Sequence, residues 1–230
     1  ANMDPGIRVS RGDDIATVSL DNPGKLNALT VAMWKDLAAA MRELSADASL
    51  RCVVLRGAGN EAFAAGADID EFERVRNTVA LAKRYHREYV FGALRAVAEC
   101  RHPTLAMIAG ACVGGGLEIA CQCDLRISAR SGKFGVPINR LGFSIAYDEL
   151  ASLLPLAGKA VVLEILLEGR ILDAGEAFAK GLVTRVVAED KLEEEAYAAA
   201  RRIAAGAPLV ARWHKEYVRR LMPPAAALTE

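Results

Sequence analysis

The sequence predicts an α/β fold with a helical C-terminal segment. Three observations carry this. Short apolar strands alternate with helical stretches up to about residue 170, and helices alone follow. Two strand–glycine–helix units recur, at residues 55–68 and 108–118. The 230-residue chain is long for one domain and short for two full ones.

The elements follow in order. Residues 15–20 (IATVSL) read as a strand ending in the turn Asp21-Asn22-Pro23-Gly24. Thr30 is placed to cap a helix whose apolar positions are Met33, Leu37, Met41 and Leu44, up to a polar break near Asp47. Residues 52–55 form a short strand, 62–67 (AFAAGA) read as a loop, and a helix starts between Asp68 and Phe72. Residues 79–98 read as one long helix, with Leu81, Tyr85, Tyr89 and Leu94 among its apolar positions and Pro103 as a breaker beyond it. Residues 104–109 are a buried strand, and a helix is expected from about Leu117 to Cys123. Strands follow at 124–128 and 133–136, then an apolar helix at 158–168. Asp173 with Glu176 marks a helix start. Leu192, Ala196, Ala199 and Ile203 mark the next helix, and Leu209, Trp213, Tyr217 and Leu221 the last.

Composition narrows the function. The chain is 53% hydrophobic and 25% charged, enough for a substantial core. Lys+Arg and Asp+Glu both number 29, and this neutral balance argues against nucleic-acid binding. Cys52, Cys100, Cys112, Cys121 and Cys123 match no zinc or redox spacing and read as small buried residues of a reducing compartment. No apolar run approaches the ~20 residues that span a bilayer. No signal peptide is evident, and residues 1–6 (ANMDPG) read as a leader outside the fold. The expected setting is the cytoplasm.

Chemistry concentrates at residues 110–124, GACVGGGLEIACQCD. A strand ends, Gly114, Gly115 and Gly116 turn the chain, and a helix begins. Its first N–H groups lack internal partners, and the helix dipole there is positive, so the place suits an anion. GGGLE is not a dinucleotide or phosphate-loop pattern. An oxyanion formed during reaction, with Glu118 as the neighbouring acid or base, fits removal of a proton alpha to a carbonyl. The dipole is expected to favour the charged form of Glu118. The other reading of the same residues is tight glycine packing beside a solvated carboxylate.

Residues 60–69 (NEAFAAGADI) followed by 110–124 resemble the enoyl-CoA hydratase/isomerase, or crotonase, superfamily. Asn27-Ala28-Leu29, Lys133-Phe134-Gly135-Val136-Pro137 and Gly181-Leu182-Val183 fit it as well. The resemblance implies a crotonase-like spiral of strand–helix turns over residues 7–170. It also implies a C-terminal helical, trimerisation segment over 171–230, giving a homotrimer or a hexamer built as a dimer of trimers. It implies an acyl-CoA substrate, with no metal and no cofactor beyond the coenzyme A of that substrate, and no nucleic-acid or membrane partner. The N–H groups of Ala67 and Gly115 would form the oxyanion hole. Leu26, Ala28, Ala65, Asp68, Ile69, Gly114, Pro137, Ile138 and Leu141 would line the CoA and substrate groove. Glu118 falls on the first of the family's two catalytic glutamate positions.

The sequence departs from the family at three places. The second glutamate position holds Ile138, which carries no proton. Residues 139–150 (NRLGFSIAYDEL) lack the usual glycine-rich stretch. The chain also stops at Glu230, soon after Pro223-Pro224, where family members continue. These departures leave several reactions open: hydration, isomerisation with one acid, decarboxylation, hydrolysis, or acyl-CoA binding without catalysis. Asp148 and Glu149 read as helix-surface charges, with a second-acid role as the alternative. Tyr147 is a candidate hydrogen-bond donor to the acyl group, and Asp70, Asp124 and Glu164 read as structural or surface residues. Met33, Phe72, Tyr85 and Phe143 are candidates for shaping the acyl pocket. His86, His102 and His214 form no cluster in sequence. Gly142–Ala146 approaches a GxSxG elbow but lacks its last glycine, which disfavours a serine hydrolase.

Overall fold

A computed structural model describes residues 4–222 of the chain. Expectations for residues 1–3, for Pro223-Pro224 and for the chain end lie outside the described residues. Two sheets organise the rest. The larger has the order β1-β2-β3-β5-β7-β10, built from Gly6–Gly12, Ile15–Asp21, Cys52–Gly57, Thr104–Ile108, Leu125–Ala129 and Arg185–Val187. The smaller has the order β4-β6-β8-β9, from Ala62–Ala64, Ala111–Val113, Lys133–Gly135 and Leu172–Asp173. From β3 to β8 the chain visits them alternately, one strand in the large sheet and then one in the small. Each such pair is followed by helix, which makes the spiral.

Among the named strands, β1/β2 and β8/β9 pair antiparallel and the other ladders are parallel. Parallel strands are covered on both faces, so they read as continuous apolar runs. In β3 and β5, Val53, Leu55, Ala106 and Ile108 face the main core. Cys52, Val54, Leu105 and Met107 face the opposite side, against Leu192, Ala196 and Ala199 of α9 (Leu192–Ala204). All five cysteines are buried and unpaired, as the composition suggested.

The main core is closed by α1 (Val31–Ala46), whose Met33, Trp34, Leu37, Met41 and Leu44 are buried. Thr30 caps it by accepting from the Met33 N–H at 3.1 Å. Phe72–Arg76 forms α2, after a short 3₁₀ turn at Ile69–Glu71 that Asp68 caps. The stretch read as one long helix is α3 (Val79–Arg84) and α4 (Phe91–Ala98) joined by a π turn over Tyr85–Val90. Helix α5 runs Gly115–Gln122 and so begins two residues before the expected start, at the glycines themselves. The buried guanidinium of Arg126 caps its far end, donating to the carbonyls of Ala120 at 3.2 Å and Cys123 at 2.6 Å.

The remaining helices are α6 (Tyr147–Leu150), α7 (Leu154–Glu168), α8 (Ala174–Ala179) and α10 (Pro208–Leu221). Helix α7 starts earlier than expected and is kinked where Gly158 has φ 75°. Asp173 caps α8 through the Glu176 N–H at 2.8 Å, as its spacing implied. Four sequence readings are corrected. Residues 62–64 are strand, because they pair with β6. Strands β9 and β10 lie beyond residue 170, so that region is not helical throughout, and β10 completes the large sheet beside β7. Gly6, read as part of the leader, opens β1. The helix expected over residues 79–98 carries the π turn. Among the described residues no helix is long and apolar enough to cross a membrane.

The approach of α5 to β4 is a tight backbone constraint. A Cβ on Gly116 would sit 2.3 Å from the Ala64 carbonyl oxygen, a backbone atom that cannot swing aside. Gly116→Ala is therefore expected to destabilise the fold by about 1–3 kcal/mol, measured as a lower urea midpoint with an unchanged slope.

Candidate active site

A cavity of about 150 Å³ opens where the first turn of α5 meets the segment after β4. Local sequence explains the meeting. Asn27, at φ 57°, donates its side-chain amide to the carbonyls of Ala58 and Ala62 at 3.1 and 2.9 Å. Asn22 donates its amide to the Ala28 carbonyl at 2.6 Å. These bonds hold Leu29 against the chain after β4. There Leu29 donates to the Gly66 carbonyl at 2.7 Å and accepts from the Asp68 N–H at 2.9 Å. That parallel bridge is centred on Ala67, whose own N–H must point to the opposite edge.

On the other side, Gly114 precedes α5 at φ 55°, ψ −124°, a conformation open to glycine. Its N–H is held by the Gly135 carbonyl at 2.8 Å, and its backbone packs against Gly66. The first intrahelical bond is donated by Glu118 to the Gly114 carbonyl at 3.0 Å. The Gly115 N–H therefore has no helical acceptor. Among the described residues, neither the Ala67 nor the Gly115 N–H has a hydrogen-bond partner, and both line the cavity with Glu118.

Glu118 is 4% exposed. Burial drives its carboxyl well above the usual carboxylate value; the charge of Glu149 adds to the shift, and Arg76 opposes it. The dipole of α5 was expected to favour the charged form. Desolvation outweighs it, and the balance shifts toward the neutral form.

Glu149 corrects a sequence reading. It is not a surface charge: it is 4% exposed and lines the same cavity as Glu118. Its carboxylate is bonded to Nδ1 of His86. Nε2 of His86 meets Nη2 of Arg76 at 3.1 Å. The Arg76 guanidinium lies 4.6 Å from the Phe72 ring centroid and 4.8 Å from that of Phe143. Trp34 donates its indole N–H to the Tyr85 hydroxyl at 3.1 Å at the inner wall.

Of the expected groove residues, Ala65, Ile69, Gly114, Pro137, Ile138 and Leu141 line the cavity. Leu26, Ala28 and Asp68 do not. Asp68 is buried and paired with Lys25 at 2.8 Å, and this pairing raises the Lys25 ammonium above its ordinary value. Phe72, Tyr85 and Phe143 shape the cavity as expected, whereas Met33 belongs to the core. Tyr147 and Asp148 are exposed and line a neighbouring cavity of about 720 Å³, whose wall His86, Glu149 and Arg76 share. Asp124 is structural, as read: it accepts from Thr104 and pairs with Lys215 at 2.9 Å. Asp70 and Glu164 are tied up in ion pairs.

The profile of the enoyl-CoA hydratase/isomerase family matches residues 10–228. The chain belongs to that family. A probable enoyl-CoA hydratase of Rhizobium meliloti is 37% identical over 206 residues, covering 90% of this chain and 78% of its own. The short-chain-enoyl-CoA hydratase of Clostridium acetobutylicum is 32% identical over 213 residues, covering 90% and 78%. A solved structure of an enoyl-CoA hydratase/carnithine racemase from Magnetospirillum magneticum is 53% identical. It superposes with a TM-score of 0.93, covering 97% of this chain and 83% of its own. The two-sheet spiral is the crotonase fold.

The raised Glu118 carboxyl has a measurable consequence. A carboxyl that holds its proton more tightly when folded adds stability fully below its unfolded value, about 4.5, and loses it as pH rises through the folded value. Glu118→Gln escapes that loss. Its melting temperature is expected to exceed the wild type's, by a margin wider at pH 8 than at pH 5.

Proposed function

We propose that the protein is an enoyl-CoA hydratase, adding water across the double bond of a 2-enoyl-CoA. The observation that carries this reading is the burial of Glu149 in the cavity of Glu118, which supplies two carboxyl groups where Ile138 leaves one family position without an acid. In this reading the N–H groups of Ala67 and Gly115 hold the thioester oxygen. They stabilise it more as it gains enolate charge than as a neutral carbonyl.

The two carboxyl groups then divide the work. Glu149 takes a proton from water as the hydroxyl joins the β-carbon. Glu118, whose raised carboxyl favours the neutral form, gives its proton to the α-carbon. The product is the 3-hydroxyacyl-CoA, with Glu118 ionised and Glu149 protonated. Passing one proton from Glu149 back to Glu118 through solvent restores the enzyme. The apolar wall of Phe72, Val136, Ile138 and Ile145 suits a hydrocarbon acyl chain. Ile138 is then part of that wall and has no role in proton transfer.

The same reading places the protein in the cytoplasm and gives it no cofactor beyond the coenzyme A of its substrate. It assembles α10 into a homotrimer or a dimer of trimers. Leu209, Trp213, Tyr217 and Leu221 form an exposed apolar stripe along that helix.

Crotonyl-CoA is the direct probe, with product identified by mass spectrometry. Water addition is expected, and Glu118→Gln or Glu149→Gln is expected to lower kcat by about 10²–10⁴-fold. Conversion of a 3-enoyl-CoA without hydration of crotonyl-CoA, with Glu149→Gln fully active, points instead to single-acid isomerisation. Tight coenzyme A binding without any turnover points to a non-catalytic binder.

A further inference from the structure

Glu149 does not stand alone in its wall of the cavity. Two further polar groups of the same cavity continue from it, His86 and then Arg76, ending among aromatic rings. The guanidinium of Arg76 sits over Phe72, Phe143 and Tyr85, with its carbon 4.6, 4.8 and 5.3 Å from the ring centroids. Its Nε is buried with no hydrogen-bond partner, so the surrounding rings and the contact to His86 set its orientation. That orientation leaves Nη2 at 3.1 Å from Nε2 of His86.

Arginine can only donate. Nε2 of His86 must therefore accept, and the ring proton must sit on Nδ1, facing Glu149. The Tyr85 ring meets the imidazole edge-on at 5.2 Å and 89°, which limits its rotation. The chain bends to allow this. The π turn at Tyr85–Val90, where Phe91 donates back to the His86 carbonyl, adds one residue to the turn. That extra residue brings His86 to the cavity beside Tyr85.

The geometry points to Arg76 and His86 as positioning residues for Glu149: the guanidinium fixes the His86 tautomer, and the Nδ1–H so fixed aims and holds the Glu149 carboxylate. This rests on the reading of Glu149 as proton acceptor. A guanidinium in direct contact with a carboxylate strongly favours its charged form and makes it a poor base. The imidazole hands Glu149 one hydrogen bond and keeps the full positive charge a ring's width away. Neither Arg76 nor His86 need touch the reacting atoms.

Two measurements separate this inference from the hydratase reading. The first needs no turnover: a long-range ¹H–¹⁵N spectrum of the imidazoles at pH 8 in the intact protein. The chain has three histidines, and His86→Asn assigns the signal. A resting Nδ1–H tautomer for His86 is expected, with its loss in Arg76→Leu. An Nε2–H tautomer, or averaging between the two in the wild type, overturns the inference whatever the enzyme's activity. The second is kinetic, on crotonyl-CoA. The amide nitrogen of His86→Asn takes the place of Nδ1, whereas that of His86→Gln takes the place of Nε2. His86→Asn is expected to keep kcat within about threefold of wild type, and His86→Gln to lose at least about tenfold with KM unchanged. Equal losses in both variants, or a loss carried by KM alone, overturn it. If Glu149→Gln leaves turnover intact, the role of Glu149 fails, while the tautomer result still stands or falls by itself.

Discussion

Two carboxyl groups buried in one largely apolar cavity cannot both be charged without cost, and the site depends on that constraint. Burial disfavours the charged form of Glu118 even at the positive end of a helix. Glu149 keeps its hydrogen bond to His86 and, through it, a link to Arg76. The two side chains thus sit in different surroundings, burial raising the Glu118 carboxyl and His86 bonding to Glu149, and the proposed division into proton donor and acceptor builds on that difference.

The scaffold supplies what such a pair needs nearby. Parallel pairing in two sheets brings the ends of β4 and β6 together. There Gly66 and Gly114 let two backbones pack without intervening side chains. The bridge from Leu29 turns the Ala67 N–H away from its neighbour, and the start of α5 leaves the Gly115 N–H without a helical acceptor. Both are features of the main chain, so substitution of the side chains does not remove them. The asparagine network under Leu29 and the Arg126 cap on α5 are distant from any reacting atom, yet they fix where those amides lie.

Much of this was legible in the sequence, for identifiable reasons. Apolar runs gave β3 and β5, because strands buried on both faces need no alternation. The amide pair at Ala67 and Gly115 was implied by the family resemblance that the glycine trio and the FAAGA segment carry, and the close backbone approach at Gly66 and Gly114 accounts for the small residues there. The strands at 62–64 and 172–173 escaped notice because they are too short to carry a pattern, and β10 because its residues are half-buried. Glu149 escaped for a different reason. It lies in a one-turn helix after an irregular stretch, so no periodicity shows which way it faces. His86 was hidden by the π turn, which breaks the 3.6-residue phase used to assign helix faces. Arg76 carries no local signal, since its partners come from residues 72, 85, 86 and 143.

The central claim is that an acyl thioester lies between the two main-chain amides with both carboxyls at its double bond. A crystal structure with a non-hydrolysable enoyl-CoA analogue tests it most directly. The account predicts the thioester oxygen at about 2.7–3.1 Å from the nitrogens of both Ala67 and Gly115, with Glu118 and Glu149 flanking the α- and β-carbons. A thioester oxygen bound elsewhere, or an acyl chain that leaves Glu149 behind a closed wall, contradicts it.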